Sequence, residues 1–174
     1  EKLGLDYVDL YLIHWPAEGY VEAYLEMEKL QKEGLIRSIG VSNFRKSHLE
    51  NLLSKVNVIP SVDQIETNPQ FVDEDTIQFC KDNKIVVEAW SPLGSGACLK
   101  NNEINSIADK YHKSVAQIIL RWLLQKEVVV LPKSVHENRI IENINLFDFE
   151  LSEEDMHLID QLNQHKRTGP DPDT

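Results

Sequence analysis

Short runs that are apolar almost throughout alternate, along this 174-residue chain, with segments whose apolar residues recur every three or four positions. The first kind comprises "DYVDLYLIHW", "IRSIGVSNF", "SVDQIETN", "IVVEAWSPLGSG" and "VVVLPKS". These runs are rich in Val, Ile, Leu and Tyr and have the length of strands. The second kind predicts helices. "YVEAYLEMEKLQKEG" places Val21, Tyr24, Leu25, Met27 and Leu30 at helical spacing, with Gly34 as a C-cap. "KSHLENLLSKV" is a short amphipathic helix with Ser47 as its N-cap, and "DEDTIQFCKDNK" is a helix with acids in the first turn, where the dipole favours them. "NNEINSIADKYHK" and "SVAQIILRWLLQKE" are two helices in succession, the second capped by Ser114. "HENRIIENINLF" is helical, and "LSEEDMHLIDQLNQ" opens on Ser152 with Asp155 three residues on, close to a capping box. The tail "HKRTGPDPDT" is a loop or extended segment.

Strands that are apolar on both faces and alternate with helices predict a parallel sheet covered by helices, an α/β fold with five βα units. Five units suit an open doubly wound sheet, or part of a (β/α)8 barrel, which needs eight units in about 250 residues. No Gly-rich loop joins the first strand to its helix, which counts against a dinucleotide-binding Rossmann unit. No linker or low-complexity segment marks a boundary, so residues 1–174 read as one domain. The opening "EKLGLD" reads as a helix tail running straight into a strand, so further chain is expected upstream.

Charge narrows the partners. The formal net charge is −11, which excludes general binding to nucleic-acid backbones and leaves any anionic ligand dependent on a local basic site. Cys80 and Cys98 have no metal-ligand spacing and make no disulfide framework, so no metal is expected and a reducing, cytoplasmic setting fits. No apolar run approaches the roughly 20 residues of a membrane helix.

Candidate chemistry gathers where the strands end. The ends carry His14-Trp15, then Ser42-Asn43, then Gln64, Glu66 and Asn68, then Trp90-Ser91, then Lys133-Ser134. Chains commonly turn polar at strand ends, so one such end means little. Five at the same edge of a parallel sheet form the layout of a ligand site. Lys133 and Ser134 lead into a helix whose first turns present Arg139, a combination suited to a phosphate.

These residues resemble the aldo-keto reductase family, in the branch of the bacterial 2,5-diketo-gluconate reductases and related small-carbonyl reductases. The motifs are "LGLDYVDLYLIHWP", "IRSIGVSNF", "VDQIETNP", "EAWSPLGSG", "VVVLPKSVHENRIIENINLFDFELSEEDM" and "RTGPDPDT", in order, over essentially the whole chain. The resemblance implies a (β/α)8 barrel of which this chain is the C-terminal five units, barrel strands 4 to 8. It implies NADPH-linked reduction of a small aldehyde or ketone by a monomeric protein. It casts His14 as the catalytic histidine beside the substrate carbonyl, and Trp15 as lining the substrate pocket. Ser42, Asn43 and Gln64 would hold the nicotinamide carboxamide, and Trp90, where Tyr is common, would stack on the ring. Ser91, Leu93 and Ser95 would lie over the pyrophosphate. Lys133, Ser134, Val135 and Arg139 would take the 2′-phosphate, and Glu142 and Asn143 the adenine. The residue types agree with these roles: the cofactor carries the hydride while the protein positions and polarises.

The family's other catalytic groups, an Asp, a Tyr that donates the proton, and a Lys, fall on barrel strands this sequence does not contain. Asp6, Tyr7 and Lys2 match the helix and strand before the histidine and do not replace them. The chain alone is therefore expected to be inactive. Two other readings stand beside the enzyme: a non-catalytic NADP(H)-binding module, and a truncated barrel without function. Smaller departures are Asp63, where the family has Asn, and the brief "AEGY" after Pro16.

Overall fold

The computed structural model describes residues 3–174; Glu1 and Lys2 lie outside them. Strands β1 (Val8–Ile13), β2 (Ile36–Ser42), β3 (Val62–Glu66), β4 (Val86–Trp90) and β5 (Val129–Val130) are joined through helices α1 (Tyr20–Lys32), α2 (Lys46–Leu53), α3 (Glu74–Asp82), α4 (Asn102–Tyr111) and α5 (Val115–Gln125). Helices α6 (Glu137–Ile144) and α7 (Glu153–Asp160) follow. The strands make one five-stranded parallel sheet in the order β1-β2-β3-β4-β5, the α/β layout with outer helices that the apolar pattern predicts.

The chain divides into two compact units, and the division runs through β3 and β4, so each unit holds its own part of that pairing. Val86 N–H donates to Ser61 O in the first, and Thr67 N–H to Trp90 O in the second.

The first unit carries β1, β2 and α1 to α3. Its buried apolar side chains include Ile39, Val41, Phe44, Leu49 and Leu52, each contributing about 2 kcal/mol on leaving water. Gly40 lies in β2 where no side chain fits: a Cβ there would come within 2.7 Å of Val62 O and 2.8 Å of a Leu12 methyl. Helix α1 stops as expected, with Gly34 left-handed at φ 80 one residue past the cap and its N–H on Gln31 O. Helix α2 differs from expectation. Arg45, not Ser47, is the N-cap, and Lys46 N–H is satisfied by Thr76 Oγ1 of α3 at 3.0 Å. A donor met by a neighbouring helix leaves no mark in the local sequence.

The second unit carries β5, α4 to α7 and a 3-10 turn at Gly94–Lys100. Asn101 caps α4 by accepting Glu103 and Ile104 N–H at 2.9 and 3.0 Å. Ser114 and Gln117 form a reciprocal box on α5, and Ser152 Oγ accepts Asp155 N–H at the start of α7. Helix α5 supplies Ile118, Ile119, Leu120, Trp122 and Leu123, all fully buried.

Two strand expectations are corrected. "VVVLPKS" pairs only over Val129–Val130, its last ladder bond being Leu131 N–H to Ala89 O, and Val129 and Leu131 are each 41% exposed. β1 is likewise not buried on both faces: Leu10 and Tyr11 are 37% and 51% exposed. An apolar run records a capacity for burial and is silent on what covers it. Helix α6 buries no residue at all, and leaves Ile140, Ile141 and Ile144 exposed. Among the described residues no helix is long and apolar enough to cross a membrane.

Candidate active site

In the first unit, β2 and β3 pair so that Ser42 lies opposite Gln64. Ser42 Oγ donates to Gln64 O at 2.7 Å, and Asn43 N–H donates to the same carbonyl at 3.0 Å. Asn43 is left-handed, φ 62, a conformation Asn tolerates better than most residues. That backbone aims its amide at the end of β1, where Nδ2 donates to His14 O at 2.9 Å and to Ser42 Oγ at 3.2 Å. Ser42 and Asn43 are buried, Gln64 is half-buried, and these bonds tie the ends of three strands together. His14 itself is exposed, its ring tilted 54° to that of half-buried Trp15. The structure thus brings together five predicted residues in this unit. Asp63 is fully buried and serves as an acceptor, taking Phe44 N–H at 3.4 Å and the Cys80 thiol at 3.9 Å.

In the second unit, Trp90 ends β4 and the chain turns sharply. Ser91 and Ser95 are both left-handed, and their hydroxyl oxygens lie 3.2 Å apart. Leu93 is half-buried at the start of the 3-10 turn, and Gly94 lies against Cys98, where a Cβ would come within 2.8 Å of its sulfur. Burial pushes the Cys98 thiol above its ordinary pKa, so it stays protonated and is a poor nucleophile.

Beyond β5, Lys133, Val135 and Arg139 are exposed. Ser134 Oγ accepts His136 N–H at 3.1 Å, which fixes the turn into α6. Among the described residues the Lys133 and Arg139 side chains have no hydrogen bond or ion pair, two cations left unmatched in a chain of net charge −11. Glu142 accepts the Ser114 hydroxyl and so ties α6 to the cap of α5. Asn143 lines a cleft of about 350 Å³ with Val130, Pro132, Ile140 and Ile144. Among the described residues no group of three His, Cys, Asp or Glu could hold a metal ion.

Glu66, in sequence one polar strand end among several, is fully buried and accepts three hydrogen bonds from Thr168 and Gly169, about a hundred residues away. No local signal announces a pairing at that separation.

A family model described as the aldo/keto reductase family matches residues 1–164. Glyoxal reductase of Bacillus subtilis (strain 168) is 53% identical over 174 residues, a match covering 99% of this chain and 63% of that protein. An aldo-keto reductase enzyme from a deep-sea metagenome library superposes with a TM-score of 0.94 at 42% identity, over 99% of this chain and 65% of that one. A Bombyx mori aldo-keto reductase in complex with NADP superposes with a TM-score of 0.91 at 38% identity, over 99% of this chain and 62% of that one. The chain thus spans less than two thirds of the length of these proteins.

Proposed function

This chain belongs to the aldo/keto reductase family, and on that footing we propose that it is the larger part of an NADPH-dependent reductase of small aldehydes and ketones, its residues 1–174 forming one partial barrel domain. The observation that carries the reading is the bonded set of Ser42, Asn43 and Gln64 at the end of the strand bearing His14. Hydroxyl and amide groups fixed in this way suit the carboxamide of a nicotinamide. The unmatched Lys133 and Arg139 fit a phosphate in the same spirit, since a bound anion would supply the charge they lack.

NADPH, when bound, supplies the hydride. The chain's own residues do the rest. Ser42, Asn43 and Gln64 would hold the nicotinamide carboxamide. Trp90 would stack on the ring. Ser91, Leu93 and Ser95 would take the pyrophosphate. Lys133, Ser134, Val135 and Arg139 would hold the 2′-phosphate, with Glu142 and Asn143 for the adenine. His14 donates a hydrogen bond to the substrate oxygen as it gains charge, and Trp15 lines that pocket. The name of the Bacillus subtilis relative points to glyoxal-like dicarbonyls as the substrate class.

Of the four catalytic groups that the resemblance implies, this sequence carries the histidine. That observation favours a second reading, in which the chain by itself binds NADP(H) without turnover. Titrating the folded chain with NADPH, then adding glyoxal, tests both. Binding without oxidation of the cofactor is the expected result for the chain alone. A folded chain that shows no NADPH binding overturns the proposal.

A further inference from the structure

The segment after α7 is strapped to the sheet by one buried carboxylate. Glu66 ends β3 with its side chain fully buried. Its Oε1 accepts Thr168 N–H at 2.6 Å and Thr168 Oγ1–H at 2.5 Å, and its Oε2 accepts Gly169 N–H at 3.2 Å. Asn68 Nδ2 lies 3.5 Å from Oε1, and the Arg167 guanidinium 3.9 Å from Oε2. Arg167 also stacks over the Phe71 ring at 4.1 Å, and Gln164 and Lys166 N–H both reach Gln70 O. A carboxyl group with no access to water needs donors around it, so the strap and Glu66 stabilise each other.

The strap has a target. Gly169 lies flat against Trp90: a Cβ on it would overlap Cη2 of the indole and come within 3.2 and 3.3 Å of Cζ3 and Cζ2. A glycine held by its own N–H against an aromatic ring limits where that ring can stand. We propose that Glu66 is a positioning residue, acting through the clasped Thr168-Gly169 segment to set the plane of Trp90. This rests on the reading above, in which Trp90 stacks on the nicotinamide. Glu66 touches neither cofactor nor substrate in this scheme. It turns a buried set of hydrogen bonds into a fixed stacking surface.

The test uses the full chain and two readouts. The first needs no cofactor: the indole N–H signal of Trp90 in a proton–nitrogen NMR spectrum, assigned by its loss in Trp90→Phe. Glu66→Gln and Gly169→Ala should each shift or broaden the Trp90 signal and leave that of buried Trp122 in place. Thr168→Ala should move it the same way, with Thr168→Ser restoring it; this pair covers a Glu66→Gln protein that does not fold. The second readout is NADPH affinity. Glu66→Gln should weaken it roughly tenfold, the worth of a hydrogen bond to a charged group. In a Trp90→Phe background the same substitution should weaken it more or less than in wild type, because the two residues are coupled. A Trp90 signal unmoved by Glu66→Gln, or by Thr168→Ala where that is the folded variant, overturns the proposal. So do losses of affinity that simply add. A signal that moves in a chain whose wild type binds no NADPH leaves the positioning in place and removes the cofactor reading instead.

Discussion

The side-chain amide of Asn43 donates to the main-chain carbonyl of His14 at 2.9 Å. The histidine's place at the mouth of β1 is therefore set from β2, by a residue whose own backbone is left-handed. Asn43→Ala removes a buried donor from His14 O and from Ser42 Oγ and puts a less tolerant residue at φ 62. It should lower unfolding free energy by about 2–3 kcal/mol, measured by urea denaturation. Asn43→Gly should recover the backbone part alone.

His14→Ala is expected to behave oppositely. The ring is exposed and lies tilted beside Trp15 at a centroid distance of 6.1 Å. Stability should change by less than about 0.5 kcal/mol, as for surface substitutions generally. In a complete reductase, turnover should fall while NADPH affinity holds. Lost stability with unchanged kinetics would make His14 a structural residue.

Lys133→Met combined with Arg139→Ala removes two exposed cations that have no protein partner among the described residues. Folding should be indifferent to the change. NADPH affinity should fall by about tenfold or more, the scale of charge-assisted bonds to phosphate, while NADH affinity changes little. Parallel titrations decide, and equal losses for the two cofactors would remove both residues from the 2′-phosphate site.

Asp155 should govern part of the acid stability. Burial pulls its pKa upward, but hydrogen bonds from Lys110, Tyr111 and Ser152 outweigh that and hold the carboxyl below its ordinary value. A depressed folded pKa means the unfolded chain takes up the proton first. The stabilisation is therefore full above pH about 4 to 5 and is lost as pH falls through the folded value. Asp155→Asn should flatten the stability profile below pH about 4 and weaken the protein near neutrality by about 2 kcal/mol, the worth of hydrogen bonds to a buried charge.

Gly40→Ala probes the sheet itself. Its methyl would press on Val62 O and a Leu12 methyl, so a loss of about 2 kcal/mol is expected from overpacking, read by thermal or urea unfolding. A neutral result would mean that the Val62 backbone and the Leu12 side chain both yield readily.

How far the sequence could be read follows from where each cause lies. Helix caps set by neighbours in sequence were legible: Ser114 with Gln117, Ser152 with Asp155, and Gly34 beyond α1. The parallel order followed from apolar strands alternating with helices. The cap of α2 was not legible, because Thr76 supplies the acceptor from thirty residues away. The exposure of β1 and β5 has no mark in the sequence, because Tyr11, Val129 and Leu131 are apolar without being covered. His14, Ser42, Asn43 and Gln64 were found from strand ends and motif, yet the bonds joining them needed coordinates. Glu66 looked like one more polar strand end until Thr168 and Gly169 were seen around it.

The sequential strand order has a consequence for how the chain assembles. Each strand after β1 pairs with the strand made just before it, so the sheet can grow in the order in which the ribosome releases the chain. Among the described strands each pairing spans one crossover. Contacts of this local kind keep loop-closure entropy small and favour fast folding. A long-range contact of another kind is the clasp of Glu66, which closes across more than a hundred residues and can form only after the last helix has been made.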